Sequence, residues 1–407
     1  MNQLNRSLIF LREEWRVLSF GLLFQFFSCF GRTFYIALFS PEIQGAFDLS
    51  PGEFSYIYSA ASLTGVLLIP WLGKLIDEVD LKYYAISMVL VLALASFSIS
   101  VTSSIAVLFI SLVGLRITGG SMMNHTSVVT TARHFDKRRG MATAICSLGV
   151  PIAEAILPIL VVILLVRVGW RMTWAASAIL LSLIVIPIVY RILRPLPQVL
   201  STDQNHGSTG NPTSPLSSTR REVLRDPQFF KLAPVLILPT PMVTALFFHQ
   251  STIAEAKLWS LEWLATCFII YAAATVVSSL TVGTLADRIG ARTVLAWTVV
   301  PMIGGFVVLA YGTSNAHALV YMLCMGLTTG ARQTITAAIW AEIYGTQHIG
   351  SIRSIVHTVS MLLAGLSPAV VGWSIDQGVP ISAIVHTFSV LLIASSVLAK
   401  FAAPTRS

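Results

Sequence analysis

Four ionisable residues stand inside long apolar runs of this chain: the bases Arg32, Arg116 and Arg332, and one acid, Glu154. A charge at such depth is costly unless it is paired or faces a water-filled cavity, which makes each a candidate for work on a solute. A planar guanidinium presents its donors in a fixed fork that matches a carboxylate or phosphate, and this points Arg32, Arg116 and Arg332 to anion capture. A buried carboxylate takes or releases a proton as the charges around it change, and this points Glu154 to proton coupling. Tyr35, close after Arg32, and His249, which with Gln250 closes another apolar run, add polar tips to the substrate-binding set. Structural roles stand beside these. A buried guanidinium is also satisfied by backbone carbonyls or a helix C-terminus, and a histidine in a span by an interhelical hydrogen bond.

Equal spacing from a turn ties two of the four together. If the runs holding Arg116 and Glu154 form an antiparallel hairpin that turns near Phe135, both residues lie equally far from the turn and share one depth. Packed helices about 8–10 Å apart would then let them pair.

A second cluster of charge sits between apolar runs. The decapeptide GTLADRIGAR at 283–292 has a near copy, GKLIDEVDLK, at 73–82, an offset of 210 residues. Gly140 with Gly350 and Pro158 with Pro368 keep the same offset. Three coincidences at one spacing indicate two homologous halves. An acid in such a loop can accept from arginines and helix N-terminal amides, so Asp77 and Asp287 are gate residues or else members of solvated turns.

Both loops resemble the signature of the major facilitator superfamily, a Gly-x-x-x-Asp-Arg-x-Gly-Arg-Arg loop joining the second and third helices of each half. Gly283, Asp287, Arg288, Gly290 and Arg292 fit that pattern, whereas the first copy keeps Gly73, Asp77 and Lys82 but carries Glu78 and Asp80 at the Arg and second Gly positions. GLRITGGS at 114–121 is similar to the family's Arg-x-x-x-Gly motif of the fourth helix, with Arg116 and Gly120 matching. The resemblance implies a fold of two six-helix bundles whose first, fourth, seventh and tenth helices line a central cavity. Arg32, Arg116 and Arg332 all fall on that set. It also implies that the two loops gate the cytoplasmic side.

The elements that must position these residues are transmembrane helices. Hydrophobic residues make up 55% of the 407, charged residues 11%, and the mean hydropathy is +0.78, which excludes an ordinary soluble protein. Apolar runs of about 20 residues match a hydrocarbon core of roughly 30 Å crossed by helices. Twelve are expected, near 17–39, 54–72, 83–101, 106–130, 141–165, 171–190, 230–250, 261–282, 293–311, 317–340, 352–374 and 380–400. The fold class is therefore all-α, with an N-terminal bundle at 1–190, a cytoplasmic linker at 191–229 and a C-terminal bundle at 230–407. The Ser/Thr/Asn/Gly-rich stretch 201–219 reads as a disordered linker. The first run is too long for a signal-peptide core and is expected to stay as a span.

The net charge of +8 follows membrane topology and shows no nucleic-acid-binding face. Of 26 Lys and Arg, only Arg167, Arg171 and Lys257 fall outside when both termini are placed in the cytoplasm of an inner membrane. Cys29, Cys146, Cys267 and Cys324 lie in apolar runs at unrelated spacings and read as packing residues, so neither disulfide nor metal is expected. No cofactor is expected. A GxxxxGK[ST] loop, an HExxH pair and a GxSxG elbow are absent from the sequence, which disfavours ATP-driven transport and enzymatic chemistry.

These readings converge on a secondary transporter of a small solute, a small organic anion by the excess of buried bases, driven by protons through Glu154 and working as a monomer in the bilayer. The alternatives are a drug exporter with Glu154 as counter-charge to a cationic substrate, and a non-transporting membrane sensor or enzyme.

Overall fold

The computed structural model describes residues 10–135, 138–194, 225–344 and 349–402. The linker stretch 201–219 lies outside them. Among the described residues there is no strand, and nine helices are long and apolar enough to cross a membrane. The longest, Arg139–Leu193, spans 55 residues and is broken at Gly169, whose φ of 77° lies in a region that favours glycine. Trp15–Gly31 is a shorter apolar helix, and Asn315–Tyr344 is helical over 30 residues. Large apolar side chains such as Leu67, Trp71, Ile110 and Leu183 point outward, which a hydrocarbon solvent tolerates and water does not.

The chain forms two compact units, Met1–Asp48 with Ala60–Gly207, and Leu49–Ser59 with Ser208–Ser407. The sequence boundary placed all of 1–190 in the first bundle; the compact units instead give Leu49–Ser59 to the second. The reason is aromatic and polar packing at the start of helix Pro51–Glu78. Phe54 and Tyr58 lie against Phe248, with ring centroids 5.4 and 4.4 Å away, and Asp376 accepts from the Ser50 hydroxyl (2.7 Å) and the Gly52 amide (3.1 Å).

In the first unit, helix Trp15–Ser28 packs on Met123–His134, Arg139–Ser147 and Gly149–Ile179, and Leu81–Val101 packs on Ile105–Ile117 and Gly149–Ile179. Close approach is made possible by missing side chains. A Cβ on Gly149 would lie 2.3 Å from the Leu22 carbonyl, and one on Gly21 would lie 2.4 Å from Cys146 Sγ. Polar cross-links run through the same seam: Gln25 Nε2 donates to Asn124 Oδ1 at 2.8 Å, and Ser127 Oγ to the Gly21 carbonyl at 2.9 Å.

In the second unit the main contact is between Leu261–Ile289 and Asn315–Tyr344. Gly326 and Gly330, one turn apart, turn their bare faces to the neighbouring helix. A Cβ on either would lie 2.3 or 2.1 Å from the carbonyls of Tyr271 or Thr275. This small-xxx-small seam lets two backbones touch.

Two of the three cations assigned to the outer ends, Arg171 and Lys257, cap helices. Arg171 Nη1 donates to the carbonyls of Ser100 (3.2 Å) and Thr102 (2.7 Å) at the end of Leu81–Val101, and Lys257 Nζ donates to Ala310 at 2.9 Å at the end of Val300–Tyr311. Each meets the negative end of a helix dipole.

Candidate functional site

The first apolar run is not one helix. After Trp15–Ser28 the chain tightens into a 3₁₀ turn, Cys29–Gly31, then extends at Arg32 (φ −84°, ψ 156°) before helix Thr33–Ala37. The fourth is interrupted as well. Between Ile105–Ile117 and Met123–His134 lies a π segment, Thr118–Met122. Such departures from regular helix recur at functional sites, because they free backbone polar groups and re-aim side chains.

The two interruptions meet. A Cβ on Gly31 would lie 2.0 Å from the Leu115 carbonyl and 2.6 Å from the Gly120 amide, and one on Gly119 would lie 2.6 Å from the Gly31 amide. Arg116 ties them together: its Nη1 donates to the Gly31 carbonyl at 2.9 Å and its Nε to Ser62 Oγ at 3.0 Å. The matching glycine of the Arg-x-x-x-Gly motif has a physical use here. A Cβ on Gly120 would stand 3.1 Å from Arg116 Nη1, so glycine leaves room for the guanidinium to fold back along its own helix.

Glu154 is buried in helix Gly149–Ile179, and the guanidinium that bears on its carboxylate is that of Arg32. The hairpin count put Arg116 opposite Glu154, whereas the structure engages Arg116 with Ser62 and Gly31. Pro158 follows Glu154 by four residues and lies inside the same helix, so the carbonyl of Glu154 loses the amide donor that a regular helix would supply. Carboxylate and freed carbonyl therefore concentrate acceptor capacity at one buried rung.

Beside this pair is an aromatic wall. Tyr35 is buried, its hydroxyl 3.0 Å from Ser177 Oγ, and its ring lies 4.7 Å from Phe30 and 5.4 Å, edge-on, from Trp174; Phe39 and Trp174 are 4.7 Å apart. Two buried donors in this region have no hydrogen-bond partner among the described residues, Arg32 Nε and Trp174 Nε1. Ser62 and Trp174 escaped the sequence reading. Neither stands in a motif, and only the folded chain brings Ser62 to Arg116 and Trp174 to Tyr35.

Arg332 and His249 lie in the second unit. Arg332 lies in helix Asn315–Tyr344. His249 is buried at the junction of helices Pro239–Phe248 and Gln250–Ala256, with Nε2 3.1 Å from the Pro368 carbonyl and 3.4 Å from Ser55 Oγ. A carbonyl only accepts, so Nε2 carries the proton.

The two signature loops close differently. In the first, Asp80 caps helix Leu81–Val101 by accepting from the Lys82 amide at 2.8 Å, and Asp77 forms an ion pair with Arg133, a base the sequence reading left to membrane topology. Gly73 has open space around it. In the second, Gly290 takes a φ of 86° between Leu261–Ile289 and Ala291–Leu295, and Glu342 reaches across to accept from the Ala291 amide at 2.8 Å. Arg292 donates to the Ala402 carbonyl, Gly283 packs on Thr334, and Asp287 and Arg288 lie in the last turns of Leu261–Ile289. Glu342 is a loop-closing residue that no local pattern announces. No cluster of three metal-ligating side chains exists among the described residues.

Comparison with known proteins agrees with this architecture. The family model described as the Major Facilitator Superfamily matches residues 21–261. An MFS transporter of Aspergillus flavus, asaE, is 23% identical over 307 residues, which take in 74% of this chain and 66% of that protein, just under two thirds of its length. Among solved structures, a bacterial homologue of the human lysosomal transporter Spinster, inward-facing and unoccupied, superposes with a TM-score of 0.64 at 17% identity over 95% of each chain. A mutant form of the nucleoside transporter NupG gives 0.66 at 14% identity over 96% of this chain and 98% of its own. With a family model matched over more than half its length and nine described helices fit to cross a bilayer, the chain is an integral multi-pass membrane protein and belongs to the Major Facilitator Superfamily.

Proposed function

We propose that this protein is a secondary transporter that moves a small organic anion by alternating access and couples the movement to protons, as a monomer in an inner membrane with both termini cytoplasmic. The observation that carries the anion is the unpartnered, buried Nε of Arg32 at the break of the first helix, with a second acceptor-seeking donor, Trp174 Nε1, in the aromatic wall nearby. A buried donor without an acceptor is destabilising by about 1–3 kcal/mol, so a carboxylate arriving at Arg32 gains by satisfying it. Glu154 is the proton carrier. While ionised it attracts the Arg32 guanidinium; once protonated that attraction is lost and the charge is free to act on the substrate.

The same wall supports a second reading. Phe30, Tyr35, Phe39 and Trp174 beside a buried carboxylate would also suit an amphipathic cation, with Glu154 as its counter-charge and export against protons as the outcome.

Proteoliposomes with an imposed pH gradient separate the two. A metabolite screen identifies the substrate class, and Arg32→Lys, which keeps the charge but loses the fork, should weaken an anion at least about tenfold at near-normal abundance. Glu154→Gln should abolish pH-driven accumulation while substrate exchange persists. An Arg32→Gln variant that transports like wild type removes the anion, and a Glu154→Gln variant that still accumulates removes the proton coupling.

A further inference from the structure

Away from the Arg32–Glu154 region, the first unit has a second concentration of positive charge around a cavity. Its volume is about 460 Å³ and its lining is Arg16, Pro187, Tyr190, Arg191 and Arg194. That size lies within the roughly 300–1,000 Å³ of small-ligand sites. Arg16 stands at the start of helix Trp15–Ser28; Tyr190 and Arg191 belong to helix Ile186–Leu193, and Arg194 caps its C-terminus. A fourth cation is near, since Lys82 Nζ lies 5.8 Å from the centre of the Tyr190 ring.

The acids nearest Arg16 in sequence are Glu13 and Glu14. Among the described residues none of the three arginines is in an ion pair, and Glu14, next but one to Arg16, is hydrogen-bonded to His134 Nε2 at 2.7 Å. Glu13 is exposed. A helix C-terminus accounts for one arginine by its dipole, and Arg191 and Arg194 have that option. It does not account for Arg16, which comes from another helix and whose Nη1 is buried with no hydrogen-bond partner among the described residues. Three guanidiniums from two elements, one with an orphaned donor, around an open cavity call for an acceptor with several oxygens and more than one negative charge.

We propose that this cavity is a phosphate-binding site, taking the phosphate group of an anionic phospholipid or of a free phosphate ester, and that it is separate from the transport site. Arg16 supplies the buried donor, Arg191 and Arg194 close over the remaining oxygens, and Tyr190 forms the floor. Guanidinium–phosphate contacts are charge-assisted and suit the fork geometry.

The test uses the full-length purified protein, wild type against Arg16→Gln and against the double variant Arg191→Gln/Arg194→Gln. In detergent, thermal unfolding is followed while inorganic phosphate is titrated against chloride at equal ionic strength, which removes general screening. In parallel, native mass spectrometry counts phosphatidylglycerol and phosphatidylcholine retained from mixed nanodiscs. Loss of one charge-assisted contact should weaken binding roughly tenfold or more. Phosphatidylglycerol retained by wild type and lost from both variants, without a phosphate response, assigns a lipid headgroup. A phosphate-specific rise in melting temperature that the variants lose assigns a free phosphate ester. If Arg16→Gln does not fold, the exposed pair Arg191 and Arg194 carries the comparison alone. Wild type and variants that respond alike in both arms overturn the site.

Discussion

Arg116 Nη1 donates to the carbonyl of Gly31 at 2.9 Å, joining the 3₁₀ break of one helix to the π segment of another through a single guanidinium. Ser62 takes the Nε of the same group. A lysine in place of Arg116 keeps the charge but puts all its donors on one nitrogen, whereas Arg116 reaches its two acceptors from two nitrogens of a planar fork. Arg116→Lys should lower stability by about 1–3 kcal/mol, read as melting temperature, and reduce transport, while Ser62→Ala should fall short of it by at least half.

The backbones at that crossing leave no room for a methyl group. Gly31→Ala should therefore cost about 1–3 kcal/mol through overpacking and depress transport with it. Gly45→Ala is the control, because a Cβ there meets nothing within 4 Å. Equal melting temperatures for the two variants would contradict the close approach.

The second signature loop rests on Gly290 and Glu342. At φ 86° and ψ 141° an alanine is strained by about 1–3 kcal/mol, so Gly290→Ala should lower the melting temperature where Gly304→Ala, in open space, does not. Glu342→Gln removes a charged acceptor from the Ala291 amide and should cost about 1 kcal/mol.

Glu42, in the short helix Ser40–Phe47 beyond the first apolar run, gives a pH-dependent test. Burial raises its pKa above the ordinary glutamate value, eased by its own backbone amide, and its Oε2 is buried without a partner among the described residues. The folded pKa exceeds the unfolded one, so the ionised side chain destabilises the fold at neutral pH, and the penalty fades as pH falls through the folded pKa. Glu42→Gln should raise the melting temperature at pH 7, and the gain should shrink steadily toward pH 4. A gain independent of pH would show that charge is not its source.

Much of this architecture is legible in the chain because the bilayer imposes length and polarity on every segment. The apolar runs, the loops at 73–82 and 283–292, and the helix-internal Pro158 and Pro368 are read from spacing alone. Facing direction is not legible in the same way. Counting from the turn near Phe135 gives Arg116 and Glu154 one depth, whereas the charge that bears on Glu154 is that of Arg32. The only local hints of the two breaks were glycines, Gly31 and the pair Gly119 and Gly120, and glycine alone does not distinguish a kink from a tight crossing. Leu49–Ser59 likewise shows no change of composition where it joins the second unit, since its attachment depends on Phe248 and Asp376, distant in sequence.

The seam at Gly326 and Gly330 joins two touching backbones through uncharged hydrogen bonds, Ser278 Oγ donating to the Leu327 carbonyl at 2.6 Å and Thr334 Oγ1 to the Ser279 carbonyl at 3.0 Å. Hydroxyls and carbonyls do not titrate and carry no net charge, so these contacts are indifferent to acidity and ionic strength, and the burial of Thr275 and Ser278 keeps them from a surfactant that replaces lipid around the outer face. The ends of the helices, held by capping cations and carboxylates, respond to all three. Under progressively harsher extraction the second unit should come apart from its polar rims inward, with Leu261–Ile289 and Asn315–Tyr344 the last two helices to separate.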